Sequence, residues 1–154
     1  MTDIKLTEIS PIVLRPGEGL HLPGPEGIVI KAKGATTNGS VGFVEATSQP
    51  GFVAPPHIHY DYDEMFYVLD GEFQFLLGTE TITAPAGSFV FIPRGLVHSP
   101  RVTGDRAARV VFAFVPGGAE QAFEEMSKLT PGPDGMPDMV KLQEIARRFG
   151  SEFV

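Results

Sequence analysis

A chain of 154 residues and 16.6 kDa, 42% of it hydrophobic, suits one domain that buries a core without staples. It has no cysteine, which excludes disulfides, thiolate ligands and cysteine nucleophiles, so any metal must be held by His, Asp or Glu. Twelve Lys and Arg against 19 Asp and Glu leave a formal charge of −7, with no basic cluster larger than Arg147-Arg148, which disfavours nucleic-acid partners. No stretch approaches the roughly 18 apolar residues of a spanning helix, and residues 1–14 lack an apolar signal-like run. The reading is a soluble cytoplasmic protein with no membrane partner.

Residues 2–22 carry little signal beyond an extended Ile12-Val13-Leu14. After them, 18 Gly and 14 Pro are spread along the chain and punctuate short apolar runs at 28–32, 41–46, 65–69, 72–77, 80–84, 89–92 and 108–115. Regular runs rich in Val, Ile and Phe predict an antiparallel sandwich or barrel. Asp70-Gly71 and Gly78-Thr79 predict hairpin turns, because glycine supplies the positive φ that such turns require. Residues 108–115 are apolar on both parities, so that strand is expected to be covered on both faces, with the C-terminal segment as the cover. Beyond 115 the period changes from 2 to 3.6. Ala119, Ala122, Phe123 and Met126 form one helical stripe, and Leu142, Ile145, Ala146 and Phe149 form another. Asp138 suits an N-cap and Gly150 a C′ position, with residues 130–137 as linker. No second copy of the strand section occurs, so residues 1–154 read as one domain: a barrel over about 10–116 and a helical extension over about 117–154.

The chemistry concentrates in two segments. In residues 51–64, His57 and His59 stand at i and i+2, so an extended chain points both to one face about 6.6 Å apart. Two imidazoles so placed can converge on one ion. Glu64 has the opposite parity to His59 and joins them only if residues 60–63 bend or bulge. In residues 87–98, a strand ends at the Pro93-Arg94-Gly95 turn and the chain returns with His98.

These residues resemble the cupins. The first cupin motif, G(X)5HXH(X)3,4E(X)6G, is filled by Gly51, His57, His59, Glu64 and Gly71. The second, G(X)5PXG(X)2H(X)3N, is filled by Gly87, Pro93, Gly95 and His98, with Val102 at the asparagine position. The resemblance implies an all-β double-stranded β-helix (jelly-roll) barrel, here followed by two helices. It also implies one divalent transition metal (Fe, Ni, Mn, Cu, Co or Zn) held by His57, His59, Glu64 and His98. His21 belongs to no such constellation, and Asp61 and Asp63 read as solvated loop acids.

Cupins host many activities, so function is argued from the site. Four protein ligands leave room for a small-molecule substrate or dioxygen. Phe43, Tyr60, Phe66, Phe75 and Phe112 are the first candidates for a pocket wall; Tyr62, Phe91 and Phe114 can also be drawn upon. Without a basic cluster, an apolar or aromatic substrate is favoured over a phosphorylated one. The tail resembles that of the quercetin-dioxygenase-like branch, which implies a dioxygenase with Glu64 as ligand, catalytic base, or both in turn. The alternatives are a non-catalytic small-molecule-binding cupin and a redox-neutral zinc cupin, an isomerase or cyclase. Residues 117–137 read as a linker packed on the outer sheet, with a lid over the barrel mouth as the competing reading. Arg94 reads as a surface turn residue. A homodimer pairing through sheet edges is the expected assembly.

Overall fold

The computed structural model describes residues 9–154; the part of the uninformative N-terminal stretch before residue 9 lies outside them. In chain order come β1 (Leu20–His21), β2 (Val29–Ala32), β3 (Gly42–Ser48), β4 (His57–His59), β5 (Asp63–Asp70), β6 (Glu72–Leu77) and β7 (Glu80–Pro85). β8 (Phe89–Ile92), β9 (His98–Arg101), β10 (Ala108–Val115), α1 (Glu120–Met126), α2 (Met139–Arg148) and β11 (Ser151–Phe153) follow. They form two antiparallel sheets, ordered β1-β2-β3-β10-β5-β8 and β11-β4-β9-β6-β7. This is the jelly-roll arrangement.

Alternation of side chains along each strand builds the core. Val44 and Ala46 of β3, Phe66 and Val68 of β5, and Val110, Phe112 and Phe114 of β10 point inward from the first sheet. Phe73 and Phe75 of β6 answer from the second. The sheets meet through aromatic rings: Phe66 lies edge-to-face with Phe75 at 5.0 Å and stacks on Phe112 at 5.2 Å.

The β6–β7 hairpin forms through Gly78 as the sequence predicts. The turn at Asp70-Gly71 also forms, with Gly71 at φ 73°, but it does not make a hairpin: β5 and β6 lie in different sheets. The chain turns a corner there, so that the apolar sets of both strands face the core from opposite sides. Glycine is required for a second reason, because a Cβ at this position would sit 2.8 Å from the Ala108 Cβ.

The C-terminal segment departs from the expectation of a cover over β10. On the outer face of that strand Val111 is only partly buried and Val115 is exposed. Instead α1 docks on the inward-facing aromatics at one barrel end, with Phe123 5.9 Å from Phe112 and 6.0 Å from Phe114. It is therefore not a linker on the outer sheet. Glu120 anchors it: the side chain is fully buried and accepts hydrogen bonds from the Gly34 N–H at 2.6 Å and the Gly118 N–H at 2.8 Å. The carboxyl fits only because Gly42 has no side chain; a Cβ there would collide with it.

α2 starts where expected. The Asp138 side chain accepts from the N–H groups of Val140 and Lys141, and Gly150 follows the helix at φ 72°. The chain then adds β11 to the edge of β4, pairing Ser151 with His59 and Phe153 with His57. Gln143 locks this strand from α2, donating to the Phe153 carbonyl at 2.9 Å and accepting its N–H at 2.8 Å. No helix among the described residues is long and apolar enough to cross a membrane.

Candidate metal centre

Three strands deliver the four candidate ligands. β4 presents His57 and His59 on one face, β9 begins with His98 in register opposite His57, and β5 carries Glu64 near its start. The parity problem between His59 and Glu64 is solved by a bend at residues 60–62, where the chain crosses from one sheet to the other. The two motifs are tied directly, since the Gly95 N–H donates to the His59 carbonyl at 2.7 Å.

One donor atom from each of His57, His59, Glu64 and His98 lies within 4.8 Å of all the others. An ion about 2.1 Å from each donor keeps opposite donors about 4.2 Å apart, so the cluster needs to contract by only tenths of an ångström. The ring centroids are 4.3 Å (His57–His98), 4.6 Å (His59–His98) and 5.0 Å (His57–His59) apart. His59, Glu64 and His98 are buried.

The hydrogen bonds define which nitrogens carry lone pairs. His57 Nδ1 lies 2.8 Å from the Pro55 carbonyl and His98 Nδ1 lies 2.9 Å from the Leu96 carbonyl. A carbonyl only accepts, so both Nδ1 atoms are protonated and both Nε2 atoms of the neutral rings are acceptors. His98 Nε2 faces Glu64 Oε2 at 3.1 Å, and His59 Nδ1 faces the same oxygen at 3.5 Å. Lone pairs turned on a carboxylate oxygen repel one another unless a proton or a cation is shared between them. A donor set of three imidazoles and one carboxylate therefore fits a divalent transition ion.

Burial supplies neutral imidazoles for this purpose. Desolvation, followed by the neighbouring His98, lowers His57 to about 4, and desolvation with His57 and His98 lowers His59 to about 2. Desolvation raises the Glu64 carboxyl above its ordinary value, partly offset by its contact with His98. The metal-free protein is thus expected to lose stability as pH falls from 6.5 towards 4. Over that window the unfolded chain takes up protons that the two buried rings refuse, at up to about 1.4 kcal/mol per pH unit for each ring. Glu64 opposes the trend, because the cost of its raised value is full above that value and fades as pH falls towards 4.5. Urea midpoints measured on chelator-treated protein between pH 7 and 4.5 should fall steadily; a flat profile would contradict the burial of these rings.

The other expected site residues divide. Phe66, Phe75 and Phe112 are buried in the barrel interior. Phe43 and Tyr60 are not in that interior and are corrected here: each follows or precedes an inward residue by one position and so points out. Phe43 is 37% exposed, and Tyr60 is 52% exposed with its hydroxyl donating to Glu152 at 2.9 Å. Phe91 also faces outward, whereas Phe114 lies 5.9 Å from His59. Tyr62 is buried against His59 at 4.4 Å and against Phe114 at 5.2 Å, and burial with the nearby Glu64 holds its phenol well above the ordinary value. Asp63 is engaged by Arg94, whose backbone N–H, Nε and Nη2 donate to its carboxylate at 2.9 to 3.2 Å. Phe123, Glu120 and Phe153 were not legible as neighbours of the site. Phe153 reaches within 6.1 Å of His57 only through β11.

Two facing antiparallel sheets with a buried three-histidine, one-carboxylate cluster define a jelly-roll protein with a candidate metal site. Residues 44–114 match the family model described as "Cupin domain", so this stretch of the chain is a cupin domain. The chain is 32% identical over 108 residues to quercetin 2,3-dioxygenase of Bacillus subtilis (strain 168), covering 70% of this chain and 32% of that protein. It is 35% identical over 95 residues to germin-like protein 5-1 of Oryza sativa subsp. japonica, covering 56% and 43% respectively. The match thus spans less than half of each of these relatives. Among solved structures, KdgF from Halomonas sp. aligns with a TM-score of 0.61 at 20% identity, over 73% of this chain and 97% of that one. That likeness concerns the fold alone.

Proposed function

We propose that this chain is a metal-dependent dioxygenase acting on an aromatic, flavonol-like or otherwise hydroxylated apolar small molecule. The observation that carries the reading is the aromatic wall beside the four-ligand cluster: His59 touches Tyr62 and Phe114, and Phe114 continues into Phe112 at 5.6 Å. The similarity to a quercetin 2,3-dioxygenase supports it. His57, His59, Glu64 and His98 would hold one divalent ion: Fe, Ni, Mn, Cu, Co or Zn. When bound, such an ion supplies Lewis acidity and, if redox-active, electron transfer to dioxygen.

The residues of the chain do the rest. The Phe112, Phe114 and Tyr62 rings exclude water and orient a planar substrate against His59. Glu64, with its carboxyl raised by burial, accepts the proton of a substrate hydroxyl more readily than a solvated carboxylate does. His98, hydrogen-bonded through Nδ1 to the Leu96 carbonyl, keeps its ring fixed while that proton moves.

Metal analysis of protein purified from its native host, combined with oxygen-electrode assays on a panel of flavonols and catechols, tests this directly. Oxygen uptake that requires the ion supports the dioxygenase. Tightly held zinc with no oxygen uptake on any panel member overturns it in favour of a redox-neutral cupin or a binding module.

A further inference from the structure

β4 supplies two of the four candidate ligands, yet it is only three residues long. β9 pairs with it at one position, His57 opposite His98, whereas β11 pairs with all of it. The bonding to β11 continues beyond both ends of β4: the Tyr60 N–H donates to the Gly150 carbonyl at 2.8 Å, and the Val154 N–H donates to the Pro56 carbonyl at 3.0 Å. The Tyr60 hydroxyl adds a bond to Glu152 at 2.9 Å. So short a strand is marginal by itself, because its few hydrogen bonds do not offset the ordering of its backbone. The placement of β4 therefore depends on β11.

We infer that α2 and β11 form a strap that is a working part of the metal centre: it holds β4 in place, so that strap docking and ion binding strengthen each other. The attachment is concentrated on the ligand segment. Hydrogen bonds from residues 150–154 to the barrel fall on residues 56–60, around His57 and His59, while α2 reaches α1 through Arg148 and Glu125. His57 is the one ligand of the four that is only partly buried, and the Phe153 ring lies 6.1 Å from it. Gln143 of α2 fixes Phe153 in turn by bonding both its N–H and its carbonyl. Gln143 and Phe153 are thus positioning residues, acting on the ion through β4.

An ion that draws four donors together favours only the state in which both β4 histidines stand in register, and that is the docked state. Linkage makes the effect reciprocal. The factor by which docking strengthens ion binding is also the factor by which the ion strengthens docking. Groups that orient ligands from behind typically carry about 10- to 100-fold in affinity, which sets the size of the coupling.

The inference rests on the ligand set assigned above and not on the dioxygenase reading. Co(II) added to the chelator-treated full chain is the probe, with its visible absorption reporting the donor set and a competing chelator dye reporting affinity. In the wild type, saturating Co(II) should slow amide exchange of residues 151–153 at least about 10-fold, with β2, remote from the cluster, as the reference. Gly150→Val should detach the strap without touching a ligand, because Gly150 sits at φ 72° and a Cβ there would collide with the Asp61 carboxylate. Its Co(II) affinity should fall about 10- to 100-fold and its Co(II) absorption should change shape, while exchange in β5 and β10 matches the wild type. Should that variant not fold, Gln143→Ala is the milder substitution in the same direction, and the wild-type exchange measurement needs no variant. Strap exchange that Co(II) leaves unchanged overturns the inference and leaves the ligand set standing. So does a detached strap with wild-type Co(II) affinity. A wild type that takes up no Co(II) overturns the ligand set and the inference with it.

Discussion

Replacing His98 by alanine is expected to reduce the metal content of the purified protein by at least about 100-fold, since even changes behind a ligand typically cost 10- to 100-fold. His98 is fully buried, its Nε2 lies 3.1 Å from Glu64 Oε2, and its ring packs against both other histidines. Alanine leaves three donors around a space that water enters, and the remaining imidazoles lose the neighbour that completes the coordination shell. His57→Ala should act in the same direction. His21→Ala is the control: its Nε2 meets the Gly17 carbonyl at 2.7 Å, away from the cluster, and metal content should not change. Plasma mass spectrometry on dialysed protein gives the answer, and unchanged stoichiometry in both the His57 and His98 variants would sink the ligand assignment.

Glu120→Ala should loosen α1 from the barrel end. The substitution removes the carboxylate that accepts from two N–H groups, those of Gly34 and Gly118, in a socket built around Gly42. Each buried donor left without a partner costs about 1–3 kcal/mol, so a loss of about 2–6 kcal/mol is expected. At the lower end, 2 kcal/mol corresponds to roughly 30-fold faster hydrogen exchange in residues 120–126, because every 1.4 kcal/mol is tenfold. Phe123 would leave Phe112 and Phe114 with α1, opening the aromatic end of the barrel. Exchange rates in α1 that match the wild type, together with an unchanged urea midpoint, would show that the buried carboxyl does not hold the helix.

Much of the site was legible because it is local. The His57–His59 spacing needs only an extended chain to bring two rings to one face, and the Pro93–Gly95 turn needs only the next few residues to return His98. Strand boundaries at 72–77, 89–92 and 108–115 follow from short apolar runs between turn formers. Asp138 caps α2 through its own backbone neighbours. Glu64 marks the limit of that reasoning. Its parity points it away from the histidines, and it joins them only because the chain changes sheet between residues 59 and 63.

What escaped the sequence involves partners distant along the chain. The Asp70-Gly71 turn has the same local chemistry in a hairpin and in a corner, and the choice fell to whichever sheet could bury Phe73 and Phe75 opposite Phe66. Phe43 and Tyr60 are aromatic residues like Phe66 and Phe112, but their parity within the folded sheets turns them outward. A charged Glu120 carries no hint of burial until Gly34, Gly42 and Gly118 surround it, and β11 is three residues that become a strand only against β4. The amino-acid order by itself determined which residues could ligate an ion and where most of the barrel strands and α2 begin, since those depend on side-chain chemistry and short-range backbone preference. Only tertiary packing decided which face of each strand met the core and which segments closed around the cluster, because burial is settled by contacts between residues tens of positions apart.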